Sequence, residues 1–116
     1  MPQNNAIIVL STVATEKEAV AIAQALVQRE EAACVNMVPM VRSVYRWKGK
    51  VCTEAEQMLI IKTTRATLAD VTRTIKELHS YELPEILALP VEGGDDSAIR
   101  WICESVKGGR ENSDTP

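Results

Sequence analysis

The sequence predicts an α+β fold in which two strand–helix–strand units share one antiparallel sheet. Two observations predict it: the order of apolar segments along the 116 residues, and a long hairpin around Gly49. A chain of this length forms one domain. Right-handed crossovers interleave the two units into the ferredoxin-like β-α-β-β-α-β arrangement, with both helices on one sheet face. A C-terminal helix follows, and the other sheet face is left bare.

The central hairpin spans residues 43–64 and is rich in β-branched and aromatic side chains. Gly49 supplies the positive φ that a tight turn requires. A turn at Lys48 and Gly49 fixes three cross-strand pairs: Trp47 with Lys50, Tyr45 with Cys52, and Ser43 with Glu54. Both arms exceed the usual strand length of about five to six residues. We therefore expect the hairpin to project from the domain and to be covered by other copies of the chain.

The first half of the chain predicts a strand, a helix and the start of the long hairpin. Residues 6–10 form a short apolar run typical of a covered strand. Thr15 and Glu18 fit a capping box, and the helix continues to about residue 31. Its buried stripe comprises Ala19, Ile22, Ala23 and Leu26. Pro39 predicts a bulge or bend in the next strand.

The second half predicts a helix, a strand and a terminal helix. Thr64 or Thr67 begins the helix, which ends near His79 because Pro84 disfavours helix just before it. The predicted buried stripe comprises Leu68, Val71, Thr72, Ile75 and Leu78. Residues 85–91 form a strand, residues 93–97 a turn, and the last helix follows. We predict one domain over 6–107, with disordered ends at 1–5 and 108–116.

Composition excludes several classes of protein. A net charge of −3 without a basic stripe gives no support for nucleic-acid binding. No apolar run approaches the roughly 18 residues of a membrane span, and residues 1–5 do not resemble a signal peptide. We therefore expect a cytoplasmic protein that binds no membrane. Three cysteines without a CxxC spacing argue against a disulfide framework and a structural zinc site.

Several motifs in order resemble the CutA divalent-cation tolerance proteins. They lie at residues 32–36, 43–50, 62–64, 79–86 and 89–91, within a match from about Ile7 to Ile102. The resemblance implies a ferredoxin-like fold, close to the PII signalling proteins, and a homotrimer in which hairpins pair between subunits. It also implies a role in tolerance of copper and other divalent cations, with Cu(II) or a similar ion bound by some members.

The resemblance implies that His79, the only histidine, is a metal ligand. Imidazole suits copper and zinc, and carboxylates such as Glu85 or Glu82 would complete the site. The family's copper-binding members carry a cysteine where this chain has Ser11, and Ser80 replaces a second histidine. A neutral hydroxyl is a poor copper ligand, so we expect weak binding. The alternative is that His79 interacts with the last carbonyls of its helix.

A second candidate site comprises Tyr45, Trp47, Lys62, Tyr81 and Glu85. Tyrosine and tryptophan suit subunit interfaces, so these residues would fasten one subunit to the next. The alternative is a polar cleft between subunits that holds a small anion or metabolite near Lys62.

We expect a non-catalytic metal-tolerance trimer, because no nucleophile–base set is visible and the Glu54–Glu56 pair has no catalytic partner. The alternative function is a PII-like signalling module that binds a small ligand at subunit clefts. No protein partner can be named.

Overall fold

The structure is a computed structural model that describes residues 4–108. The predictions of disorder for residues 1–3 and 109–116 therefore lie outside the described residues. Asn4 is described, and its side chain donates to the Val91 carbonyl and accepts from the Ala6 N–H.

Four strands and three helices follow the predicted order. They are β1 (Ala6–Val13), α1 (Glu16–Gln28), β2 (Cys34–Trp47), β3 (Lys50–Thr64), α2 (Leu68–Leu78), β4 (Leu87–Pro90) and α3 (Asp96–Ser105), with a 3-10 turn at Arg65–Thr67 before α2. The sheet order is β2-β3-β1-β4, and each neighbouring pair is antiparallel. This is the ferredoxin-like topology that the sequence predicts.

The hairpin register is confirmed. Lys48 and Gly49 both have positive φ, 50° and 79°, as a two-residue type I′ turn requires. The three predicted pairs are present: Trp47 with Lys50, Tyr45 with Cys52, and Ser43 with Glu54. The predicted irregularity at Pro39 is also present, since the register shifts between Val38 and Val41 and Met40 has a φ of 61°.

The hairpin extends well beyond the rest of the domain. β2 has 14 residues and β3 has 15. The radius of gyration is 15.1 Å and the longest dimension is 51 Å, whereas a compact chain of this length has a radius near 13 Å. Apolar side chains on the hairpin remain exposed, including Met40 at 77%, Val44 at 70% and Val51 at 65%.

An aliphatic core lies between the sheet and helices α1 and α2. Its members come from β1, β3 and both helices: Ile7, Val9, Val13, Ala19, Ile22, Leu26, Ala32, Leu59, Ile61, Val71 and Ile75. Alternating residues of β1 and β3 face the other way, and the apolar ones at Ile8, Leu10, Met58 and Ile60 are only partly buried. On β4, Leu87 and Leu89 pair with Leu10 and Ile8 and stay about half exposed. The second sheet face is thus apolar and incompletely covered.

Three details differ from the predicted pattern. In α2, Val71 and Ile75 are buried as predicted, but Thr74 replaces Thr72 in the buried stripe and Leu78 is exposed. Thr74 turns inward because its hydroxyl donates to the Glu31 carboxylate. β4 is shorter than predicted and begins at Leu87. In residues 4–108, no helix has the length and apolar character needed to cross a membrane.

Candidate functional site

His79 lies just after α2, and its side chain is fully buried. Its Nε2 is 2.7 Å from the carbonyl oxygen of Thr12, at the end of β1. Its Nδ1 is 3.1 Å from the backbone nitrogen of Tyr81. A carbonyl only accepts and an amide N–H only donates, so Nε2 carries the proton and Nδ1 accepts. The imidazole that satisfies both bonds is neutral.

Glu18, from the first turn of α1, binds the segment next to His79. Its carboxylate accepts from the Ser80 N–H at 2.6 Å and from the Ser80 hydroxyl at 3.0 Å. One carboxylate oxygen is 3.4 Å from His79 Nδ1. The predicted cap is present, because Thr15 accepts from the Glu18 N–H, but the Glu18 carboxylate binds Ser80. The start of α1 is thereby connected to the end of α2.

Tyr81 connects the same segment to the hairpin. Its hydroxyl donates to Glu56 on β3 at 2.6 Å, and Glu56 is only 5% exposed. Burial and then this hydrogen bond to a carboxylate raise the pKa of Tyr81 well above its usual value. The Tyr81 ring also lies against the His79 ring, with centroids 4.7 Å apart. Tyr81 is therefore fixed at both its backbone and its hydroxyl.

Tyr45 and Glu54 lie on the hairpin face that carries Glu56. Tyr45 pairs with Cys52, and Glu54 and Glu56 follow Cys52 by two and four residues on β3, so their side chains share its face. Hydrogen bonding to the Glu54 carboxylate, with a smaller contribution from burial, raises the pKa of Tyr45 to about 12. We call Tyr45, Glu54, Glu56 and Tyr81 the hairpin cluster. The two carboxylates give this cluster its acidic character, whereas the two phenols are hydrogen-bond donors.

The remaining predicted cleft residues are separated within one protomer. Trp47 lies two residues beyond Tyr45 on the same strand, and Lys48 Nζ is 5.7 Å from its ring centroid. Lys62 pairs with Cys34, and its position on β3 is ten residues from the partner of Tyr45. At 3.3 Å per residue this separation is about 33 Å. Glu85 is exposed and takes no part in the contacts of His79. An anion site that joins Tyr45 to Lys62 cannot form within one chain.

Ser11 lies in the core and not at a ligand surface. It is fully buried on the helix-facing side of β1, opposite Leu59. Within residues 4–108 its hydroxyl has no hydrogen-bond partner. The described residues contain no group of three His, Cys, Asp or Glu side chains that could hold a metal ion. With both His79 nitrogens engaged, the donors of one protomer do not fit the implied copper site.

Sequence reasoning missed the partners of His79 and Tyr81. Thr12 contributes a backbone carbonyl, which leaves no signal in the residue type. In the sequence, Glu18 indicates only a capping box, and Glu56 only a pair with Glu54 that has no catalytic partner. These partners are distant in sequence from residues 79–81, so local sequence patterns do not indicate the contacts.

Comparison with known proteins identifies the family. A family model described as CutA1 divalent ion tolerance protein matches residues 7–105. The chain belongs to the CutA1 family. The resemblance found in the motifs is thereby confirmed over nearly all of the described residues.

Relatives from a bacterium and a plant are similar to this chain in sequence. The chain is 43% identical over 98 residues to the divalent-cation tolerance protein CutA of Thermus thermophilus, covering 84% of this chain and 95% of that protein. It is 41% identical over 101 residues to the chloroplastic protein CutA of Arabidopsis thaliana, covering 87% of this chain and 56% of that protein. The chain thus spans little more than half the length of this plant relative.

Solved CutA1 structures superimpose closely on the chain. The divalent cation tolerance protein of Thermus thermophilus matches with a TM-score of 0.85 at 42% identity, covering 87% of this chain and 98% of the other. CutA1 from Oryza sativa matches with a TM-score of 0.87 at 39% identity, covering 91% and 97%. These values confirm the predicted fold class.

Proposed function

We propose that this CutA1 family member acts in tolerance of divalent cations as a non-catalytic homotrimer. The observation that carries the proposal is the family match over residues 7–105, together with relatives that are named divalent-cation tolerance proteins. The cytoplasm stays the predicted compartment.

The exposed hairpin supports assembly. β2 is an edge strand in the sheet order, so one side of a 14-residue strand has no partner within the described chain. Long apolar edge strands are normally covered or paired. Val44 and Val51 are 70% and 65% exposed on this hairpin, and a second copy that covered them would remove this apolar area from water. The number three comes from the family resemblance.

A non-catalytic role is supported by the state of the single histidine. Both of its nitrogens accept or donate a bond within the chain, so it is not free to act as a general base. One protomer would bind Cu(II) only weakly. Carboxylates such as Glu54 and Glu85 supply oxygen ligands, whereas copper prefers imidazole and thiolate ligands.

Sedimentation of the full chain tests the assembly. We expect a trimer in dilute solution, and we expect Val51→Glu to dissociate it by placing a charge on the exposed hairpin face. Ala69→Glu, on the exposed surface of α2, is the matched control and should leave the trimer intact. A folded wild-type species of 12.8 kDa would overturn the assembly.

Growth in the presence of Cu(II) tests the function. A bacterial strain that lacks its own CutA should regain copper tolerance with the wild-type chain and with Ala69→Glu, but not with Val51→Glu. Failure of the wild-type chain, expressed and trimeric, to restore tolerance would refute the proposed role.

A second candidate function is a PII-like module that binds a small ligand. The hairpin cluster favours it, because two phenols and two carboxylates converge on the half of the hairpin nearer its turn. The acidic character of the cluster favours a cationic ligand in place of the anion expected near Lys62. A thermal-shift screen of cationic metabolites tests this function, with Glu54→Gln as the variant that should lose any observed shift.

A further inference from the structure

We infer that His79 is a metal-independent positioning residue: a neutral imidazole that fixes the segment 79–81 between the end of β1 and the hairpin. This role does not depend on the proposed function, because it concerns contacts within one folded chain.

The hydrogen bonds of His79 use both positions at which a metal could bind. Coordination at Nδ1 would take the acceptor of the Tyr81 N–H, which lies 3.1 Å away. Coordination at Nε2 would displace the proton donated to the Thr12 carbonyl at 2.7 Å. Either change leaves a partly buried backbone group without its partner, which is costly. A neutral ring with its proton on Nε2 satisfies both groups at once.

The surroundings of the ring also oppose coordination. The His79 side chain has no exposed surface, and the Tyr81 ring lies against it. Among the described residues, the carboxylate that lies within 4 Å of a His79 ring nitrogen belongs to Glu18. It already accepts two hydrogen bonds from Ser80. Histidine and one engaged carboxylate do not complete a coordination sphere for copper or zinc. Ser80, at the position of the family's second histidine, contributes to the same internal contacts.

Three separate elements converge on residues 79–81. β1 contributes the Thr12 carbonyl, α1 contributes the Glu18 carboxylate, and β3 contributes Glu56, which accepts from the Tyr81 hydroxyl. The hydrogen bond from the Tyr81 N–H to His79 Nδ1 fixes the position of the Tyr81 backbone. His79 therefore determines the position of Tyr81 on the hairpin cluster without contacting any ligand.

Nitrogen NMR of the full-length protein tests the inference directly. The chain has one histidine, so ¹⁵N-histidine labelling gives a single ring without assignment. We expect one protonated nitrogen, Nε2, and one unprotonated nitrogen, Nδ1, at neutral pH. A stoichiometric addition of Zn(II) should leave both signals unchanged. A shift of either nitrogen on zinc addition, or a spectrum that averages the two tautomers, would overturn the inference.

Conservative variants separate positioning from general packing. His79→Asn keeps an acceptor near Nδ1, His79→Gln keeps a donor near Nε2, and His79→Ala removes both. We expect hydrogen exchange of the Tyr81 amide to be about tenfold or more faster in His79→Ala than in wild type, as the loss of one net hydrogen bond predicts. His79→Asn should recover much of this protection and His79→Gln little. Equal protection of the Tyr81 amide in folded His79→Asn and His79→Ala proteins would refute the positioning role. If His79→Ala does not fold, the NMR measurement on the native protein decides.

Discussion

The hydroxyl of Ser11 should destabilise the protein, so Ser11→Ala should increase its stability. Ser11 is fully buried on β1, and its hydroxyl has no partner within the described residues. Folding therefore removes this hydroxyl from water without replacing its hydrogen bonds. A methyl group at the same position has no such requirement.

The expected gain follows from two opposing terms. A buried hydroxyl without a partner costs about 1–3 kcal/mol. Replacing serine by alanine leaves a space of roughly one atom, and the lost contacts cost less than about 1 kcal/mol. We therefore expect Ser11→Ala to raise the free energy of unfolding by about 1 kcal/mol.

Thr63→Val is the matched control on the neighbouring strand. Thr63 is as fully buried as Ser11, but its hydroxyl donates to the Glu31 carbonyl at 2.6 Å and lies 2.7 Å from the Thr67 hydroxyl. Its removal leaves the Glu31 carbonyl without this donor, and we expect a loss of about 1–3 kcal/mol. The two substitutions remove the same chemical group and should change stability in opposite directions.

Denaturant unfolding of the full chain measures both effects. All variants are compared at one protomer concentration, because assembly contributes to the apparent stability. The slope with denaturant should stay unchanged, so that the midpoint reports stability alone. If Ser11→Ala lowered stability as much as Thr63→Val does, the Ser11 hydroxyl would be satisfied and the reasoning would be wrong.

Two further predictions concern the hairpin. Gly49→Ala should lower the free energy of unfolding by about 1 kcal/mol. The reason is the φ of 79° at Gly49 and not a clash, since nothing lies within 4 Å of an added Cβ. Gly93→Ala, at a position without a positive φ, is the control, and equal unfolding midpoints of the two variants would contradict the argument. Glu54→Gln should lower the pKa of Tyr45 from about 12 towards 10, measured by absorbance titration in a Tyr81→Phe background that leaves one tyrosine. Because the folded-state pKa of Tyr45 is raised, the stability that protonated Tyr45 contributes is complete below pH 10 and is lost as the pH rises through 12. An unchanged Tyr45 titration in Glu54→Gln would exclude the carboxylate as the cause of the raised pKa.

Local chemistry made most of the fold predictable. The turn at Gly49 fixes the pairing of Trp47 with Lys50, because a two-residue type I′ loop allows one register. Thr15 marks the start of α1 through its own side chain. These features depend on residues only a few positions apart, and sequence patterns report such short distances well.

Contacts between distant segments were not predictable in the same way. The helical stripe of α2 predicted Leu78 as buried, but the described residues leave the end of the helix uncovered and Leu78 is exposed. Thr74 is buried because of Glu31, 43 residues away. Likewise, the Thr12 carbonyl that accepts from His79 lies 67 residues away, and a backbone group has no identity in a sequence. The candidate site could be named from motifs, but the bonds of His79 could not.

The core that residues 4–108 form contains no aromatic side chain, and this determines what optical spectroscopy can detect. Trp47 and Trp101 are 37% and 52% exposed, and every buried core member is aliphatic. Tryptophan emission should therefore respond to events at the molecular surface, such as association or ligand docking, while loosening of the interior leaves it nearly unchanged. Circular dichroism of the backbone is the signal that follows the folding of the interior itself, and disagreement between the two signals would separate subunit release from chain unfolding.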